Sequence, residues 1–415
     1  MKKQFVVILI ALFALGTATV SAVDGKKLTA YVNPMIGTSG MGHTFPGACA
    51  PFGIVQLSPE TDTIPQNVDG RYQGKVYEYC AGYQHTDPTI VGFSHTHLSG
   101  TGHSDLGDVM LMPQTGSLRL NPGTATHPDA GYRSRFNHDT EKAAPGYYEV
   151  MLADEGVRAQ LTATQRVGVH KYTFPKGANS RVILDMLHGI YNYDGKVLWS
   201  SIRVENDTLL TGYRVTNGWA NCNYTYFAIT LSKPIKSYGY RDMKKPKYRG
   251  FMGKLRLHEN FPEIAGRDIV AYFNFDNVTS QELVVKVALS AVSTEGALKN
   301  LRSEVGGKSF EQVYAETDAQ WNKELDVIEC TGTSDQMAML YPSVYMDVDR
   351  QYRGLDGNIH KADGFTNYTI FSLWDTYRAE HPLLGLLKTS RNTDMVKSMI
   401  AHQQQSVHHL LPVWS

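Results

Sequence analysis

A mainly β chain whose helices are confined to its C-terminal part is what this sequence predicts, and two observations carry the prediction. As far as Ser290, short segments place apolar side chains at every second position and are separated by stretches rich in Gly, Asn and Pro. After Ser290 the apolar repeat changes to every third or fourth residue.

The β segments follow in order. Tyr147–Leu152 is the first clear one, and then His170, Tyr172 and Phe174 alternate with Lys171 and Thr173. Residues 182–187 form a short apolar run, residues 224–230 and 269–275 read as further strands, and Leu283, Val285, Val287 and Leu289 share one side of another. Many strands joined by long polar connections point to a sandwich. Beyond them Phe310, Val313, Thr317, Trp321 and Leu325 predict an amphipathic helix over 309–325. Asn367 is placed to cap a second helix that runs through Arg378 and is ended by Pro382, and a third spans about 392–404 with Met395, Met399 and His402 on one side. Two or three helices do not bury a full core of their own, so the sequence reads as the opening of a second domain that it does not complete.

Residues 1–22, MKKQFVVILIALFALGTATVSA, have two lysines, an apolar run and a Val-Ser-Ala ending, the pattern of a cleaved export signal. The run is short for a membrane span, which needs about 20 apolar residues, so the expected location is periplasmic or secreted, without stable membrane insertion. Charge is balanced, with Lys+Arg 40 and Asp+Glu 40, so nothing advertises nucleic acid. Rings make up 11% of the chain, which suits either stacking on sugars or an ordinary β-rich core. Cys49, Cys80, Cys222 and Cys330 lack zinc-site spacing; a bridge such as Cys49 to Cys80 and buried free thiols are both compatible with it.

Three polar constellations carry the candidate chemistry. Residues 33–53, NPMIGTSGMGHTFPGACAPFG, are too rich in Gly and Pro for a regular element and lack phosphate-loop and dinucleotide-loop patterns, which leaves a shaped loop presenting His43 and Phe45. In residues 92–108, GFSHTHLSGTGHSDLGD, His95 and His97 alternate along an extended segment and face opposite sides, with His103, Asp105 and Asp108 behind a glycine turn; ligand binding, a metal and structural hydrogen bonding all remain open. In residues 371–384, FSLWDTYRAEHPLL, a helix would bring Trp374, Asp375, Arg378 and His381 to neighbouring angles: a flat ring, an acceptor, a donor fork and an imidazole. The plainer reading of that segment is an Asp375–Arg378 ion pair beside a core tryptophan.

Taken together with GYRVTNGW at 212–219, SAVSTEGALKN at 290–300 and DVDRQYRGLDG at 347–357, these segments resemble, in order, glycoside hydrolase family 92, the calcium-dependent exo-α-mannosidases abundant in Bacteroidetes. The resemblance implies an N-terminal β-supersandwich, linker helices and the beginning of an (α/α)6 barrel. It divides the chain into an export signal (1–22), a sandwich (23–290), a helical linker (291–335) and an incomplete barrel (336–415). It implies that Gly42, His43, Phe45 and His97 approach the terminal mannose from the sandwich, that Trp374 and Asp375 contact it from the barrel, and that Arg378 and His381 stand close behind. The implied reaction is hydrolysis with inversion, which needs a carboxylic acid and a carboxylate base about 6.5 to 9.5 Å apart. In the family both carboxylates and most calcium ligands lie farther along the barrel. No catalytic residue is therefore assigned within this chain, its metal ligands stay unknown, and it is expected to have negligible activity alone. The runner-up is a carbohydrate-binding sandwich without chemistry, or a non-functional gene fragment. Two departures from the family stand out: QMAMLYPSVYM at 336–346 is short, and Arg350 occupies a place where glycine is common.

Overall fold

The computed structural model describes residues 27–61, 67–100, 105–241, 262–276, 281–326, 345–370 and 373–411, with backbone alone at 374 and 375. The expected export signal, His103, Cys330 and the 336–344 part of the short stretch lie outside the described residues.

Alternating burial builds two large sheets. The nine-stranded sheet runs, in spatial order, Glu263–Gly266, Val197–Asn206, Leu209–Thr216, Asn223–Leu231, Glu282–Ser290, Val167–Thr173, Val157–Ala163, Tyr147–Leu152 and Lys142–Ala144. The seven-stranded sheet runs Ala48–Cys49, Gln56–Glu60, Gly92–Ser94, Met110–Gln114, Ser180–Asp185, Val270–Phe275 and Ile235–Tyr240. Their ladders are antiparallel. One apolar core joins them, with Leu57, Phe93 and Ile183 from one sheet meeting Leu161, Phe227 and Val285 from the other. Each such side chain contributes roughly 1.5–3 kcal/mol by leaving water.

The strand Val167–Thr173 shows how one sequence serves two layers. Gly168, His170 and Tyr172 point to the sandwich interior, whereas Val167 and Val169 point outward, where Ala228 and Ala288 leave room for a helix. That space is filled by Ala297 and Leu301 of a helix over Thr294–Val305 and by Phe310 and Val313 of the next, over Phe310–Leu325. The second helix matches the sequence expectation and starts with a capping box between Ser309 and Gln312. The first was foreseen only as a change of period, although Ser293 is a good cap and accepts from Gly296 N at 3.0 Å.

The expected helix from Asn367 to Arg378 is corrected. Helix occupies Leu373–Thr376, breaks over residues 377–379 and resumes as Glu380–Leu387. Pro382 lacks an N–H, so an unbroken helix would lose a bond there; restarting at Glu380 puts the proline in the first turn, where no intrahelical donor is needed. Asn367 is buried and donates to Tyr345 O at 3.0 Å instead of capping. The last helix, Thr389–Gln405, agrees with expectation, and Met395 docks with Leu384 and Tyr368 against Phe52. The helical region is short, and its described helices close no ring. Cys49, Cys80 and Cys222 are free thiols, so the Cys49–Cys80 bridge is not formed.

Candidate functional site

Where the strand Gly92–Ser94 ends, its continuation opens onto a cavity of about 320 Å³ between the sandwich and the C-terminal segment. The sandwich supplies Thr96, His97, Asp105, Asp108, Trp219 and Tyr224; the C-terminal segment supplies Tyr345, Arg353, Tyr368 and His402.

The buried charges on the sandwich side are tied down. Asp108 accepts from Thr96 Oγ1 at 2.8 Å through Oδ2, and its Oδ1 stands 3.6 Å from Nε of the wholly buried Arg214. Thr96 Oγ1 in turn accepts from the backbone N–H of Gly107 and Asp108, and Asp105 Oδ2 accepts from Ala220 N at 3.1 Å. Lys196 lies beneath, donating to Ile190 O, and burial together with the charge of Arg214 pushes its ammonium down to about 7.

His97 meets an acceptor at each ring nitrogen: Gln56 O at 2.7 Å from Nδ1 and Glu60 Oε1 at 2.9 Å from Nε2. Glu60 also accepts from Ser94 Oγ at 2.5 Å and has His188 3.4 Å away. Burial opposes its ionisation, but the two imidazoles outweigh burial and hold its carboxyl well below the usual range.

At the mouth the character changes. Trp219 is 48% exposed, and the Arg353 guanidinium lies 4.7 Å over the Tyr224 ring, which stacks on Tyr226. Ring faces beside a five-donor fork are the groups that bind a polyhydroxylated ring. His402 is buried on the opposite wall, where burial pushes its imidazole down to about 4.

The residues singled out from sequence are only partly brought together. Phe45 and His97 meet with ring centroids 5.4 Å apart, and His97 lines the cavity. His43 sits in the same Gly-rich loop, in the left-handed region at φ 51, donating from Nδ1 to Gly100 O at 3.1 Å with its ring edge-on to Tyr77. Gly42 is exposed, and a side chain there would strike the backbone of Gly37. His95 and His97 do face different ways, His95 turning into the sandwich toward His170. Trp374 and Asp375 belong to the short helix Leu373–Thr376, whereas Arg378 lies in the break and His381 in the next helix, so the four share no single helix face. Arg378 is exposed and donates to Tyr377 OH at 2.6 Å, and His381 pairs with Asn392 Oδ1 at 2.9 Å. Sequence reasoning missed Trp219, Tyr224, Arg353 and His402; Trp219 and Arg353 nevertheless end or lie within segments that carried the resemblance.

Among the described residues, the group of metal-ligating side chains close enough to share an ion is His85, His138 and Glu141, with ligand atoms within 4.8 Å. Calcium takes 6–8 oxygens, so two imidazoles and one carboxylate do not fit it.

The chain matches the glycosyl hydrolase family 92 N-terminal domain over residues 31–290 and the family 92 catalytic domain over 296–415. A family GH92 alpha-mannosidase from Bacteroides thetaiotaomicron, solved with mannoimidazole, is 42% identical with a TM-score of 0.84, covering 94% of this chain and 50% of that one. A family GH92 inverting mannosidase from the same organism is 26% identical with a TM-score of 0.73 over 94% of this chain and 50% of its own. An uncharacterized secreted glycosidase of Arthroderma benhamiae is 26% identical over 88% of this chain and 48% of its length. The chain belongs to glycoside hydrolase family 92. It spans about half the length of these relatives.

Proposed function

We propose that this chain is the sandwich and the first helices of an exported, inverting, calcium-dependent exo-α-mannosidase that removes terminal α-linked mannose from mannans or N-glycans. The observation that carries the proposal is the cavity at the junction of sandwich and helices, lined by the half-exposed Trp219 ring and by Tyr224 with the Arg353 guanidinium laid over it, a guanidinium that also donates to Ala291 O and to Gly357 O. Family membership and the mannosidases among the similar structures supply the substrate class.

In this reading residues 1–22 direct export, 23–290 form the sandwich, 291–335 the linker and 336–415 part of the catalytic domain. Gly42, His43, Phe45 and His97 approach the sugar from the sandwich side, and Trp374, Asp375, Arg378 and His381 from the helical side. The chain recognises the sugar and supplies neither the acid nor the base. Asp105 and Asp108, the carboxylates that reach the cavity, are held by Ala220 N, Thr96 and Arg214. Burial raises the carboxyl of Glu380, the direction an acid catalyst needs, but Glu380 does not line the cavity.

The similarity to a secreted glycosidase supports an exported chain. The test is calorimetry of the 415-residue chain with mannose and short α-mannosides, with and without calcium, alongside assay of released mannose. Binding with negligible release is expected. Calcium-dependent turnover would overturn the assignment of no catalytic group, and absence of binding would overturn the recognition role. Tight binding without any turnover would favour a binding-only sandwich.

A further inference from the structure

We propose that His85, His138 and Glu141 form a binding site for a divalent transition metal such as zinc, separate from the sugar cavity and unsuited to calcium. His85 lies in a turn and His138 and Glu141 at the two ends of a short 3-10 helix, His138–Thr140, and their ligand atoms lie within 4.8 Å of one another. None of them lines the cavity. The rings of His85 and His138 are 4.2 Å apart between centroids, and His138 Nδ1 stands 2.5 Å from Glu141 Oε2. Imidazole nitrogen with one carboxylate is the donor set that borderline metals take, with a fourth position left for water.

The carboxylate is held from behind, as a metal ligand's is. Tyr148 OH donates to Glu141 Oε1 at 2.5 Å, Tyr83 OH lies at 2.9 and 3.0 Å from the two oxygens, and both tyrosines are buried. Those contacts fix Glu141, while His85 is exposed, with its Nδ1 3.4 Å from Tyr83 OH, and His138 is half-buried against the carboxylate. A surface His138–Glu141 pair alone explains neither the buried hydroxyls bonded to the carboxylate nor the second imidazole tilted against the first.

An ion there would tie the 138–141 turn to the Gly-rich loop. His85 N donates to Thr38 O at 2.8 Å, and the neighbouring Gln84 side chain bonds both Gly40 N, at 2.8 Å, and Gly40 O, at 2.9 Å. A metal held by His85 therefore restrains the loop that carries His43.

Titration of the untagged full chain with Zn2+ alone, after removal of adventitious metal, tests the site. One ion per chain at micromolar or tighter Kd is expected, weakened at least tenfold by His85→Ala and by Glu141→Gln, and not displaced by millimolar Ca2+. Co2+ should give a visible spectrum of low coordination number that His85→Ala abolishes. Because His85 is exposed, its variant should keep the far-UV circular dichroism of the parent. No saturable Zn2+ binding, equal affinity in the two variants and the parent, or displacement by Ca2+ each overturns the proposal.

Discussion

Ser290 Oγ donates to Oδ2 of buried Asp347 at 2.9 Å, joining the end of the last sandwich strand to the segment that begins the C-terminal region. Asn300 Nδ2 donates to the other oxygen at 2.9 Å, and Ser290 Oγ also accepts from Val292 N and Ser293 N. Two segments that carried the family resemblance, 290–300 and 347–357, thus meet in one buried network. Arg166 reinforces it, pairing with Glu304 at 2.7 Å and donating to Met346 O at 2.6 Å. Asp347→Ala removes the acceptor of Ser290 Oγ and of one Asn300 amide hydrogen, Asn300 Nδ2 keeping Leu289 O, and should cost about 1–3 kcal/mol. Urea denaturation measures it, and an unchanged midpoint would show that the network does not hold the junction.

Gly296 lies in the helix Thr294–Val305, where alanine would normally stabilise by about 0.5–1 kcal/mol. Here an added Cβ collides with Asp347 Oδ2 and crowds Ser290 Oγ. Gly296→Ala should therefore destabilise by about 1–3 kcal/mol, and Gly296→Ala with Asp347→Ala should cost less than the sum of the two. Strict additivity in the urea midpoints would rule out the close approach.

Arg350 has a backbone conformation that glycine adopts freely, and its side chain shows how an arginine is held there. Its φ is 65, in the left-handed region that glycine enters freely, while its guanidinium donates to Ala362 O at 2.7 Å and to Phe365 O at 2.5 Å. The loop keeps its conformation because the side chain offsets the backbone strain. Arg350→Ala loses the clamp and retains the strain, whereas Arg350→Gly loses both, so the glycine variant should be the more stable by about 1 kcal/mol. Thermal melting of the pair decides it; equal melting temperatures would mean the strain is not felt.

How much of this was legible in the sequence followed from what each pattern encodes. The strand Val167–Thr173 and the helix Phe310–Leu325 announce themselves because one face of each is buried and the other is not, so period and fold coincide. The 371–384 segment misled because one helical spacing was carried from Trp374 through Arg378 to His381, whereas the helix breaks over residues 377–379 and restarts at Glu380 with Pro382 in its first turn. The cavity was the least legible. Tyr224, Arg353 and His402 are far apart in sequence and acquire a common role only after the C-terminal segment folds back on the sandwich. His97 could be singled out locally, but its partner Glu60 sits on another strand with no pattern linking the two.

The His97–Glu60 pair gives a prediction for sugar recognition. Glu60 is buried beneath the cavity and fixes the ring that lines it. Glu60→Gln keeps the shape but removes the charge that orients His97, and should weaken α-mannoside affinity about tenfold, near 1.4 kcal/mol. His97→Ala should weaken it at least as much. Calorimetry that finds parental affinity in both variants would remove His97 from the recognition surface.

The second histidine of that segment predicts the response to acid. Tyr172 OH donates to His170 Nδ1 at 2.8 Å, His170 Nε2 donates to His95 Nε2 at 3.0 Å, and His95 Nδ1 donates to Val109 O at 2.7 Å. This relay satisfies both rings only while each is neutral. Burial pushes His95 down to about 3 and, with the charge of His95, holds His170 well below the ordinary value; burial also takes His402 to about 4. The unfolded chain takes up protons near pH 6.5 that the folded chain refuses, so stability should be full above that pH and fall as the pH drops toward 4. Each histidine should contribute on the order of 2 kcal/mol by pH 5 to 4.5. Urea midpoints between pH 7.5 and 4.5 measure the slope, and His402→Gln should make it shallower by one proton's share. A midpoint that holds steady across this range would mean that the buried imidazoles accept protons without cost, and the neutral relay would have to be abandoned.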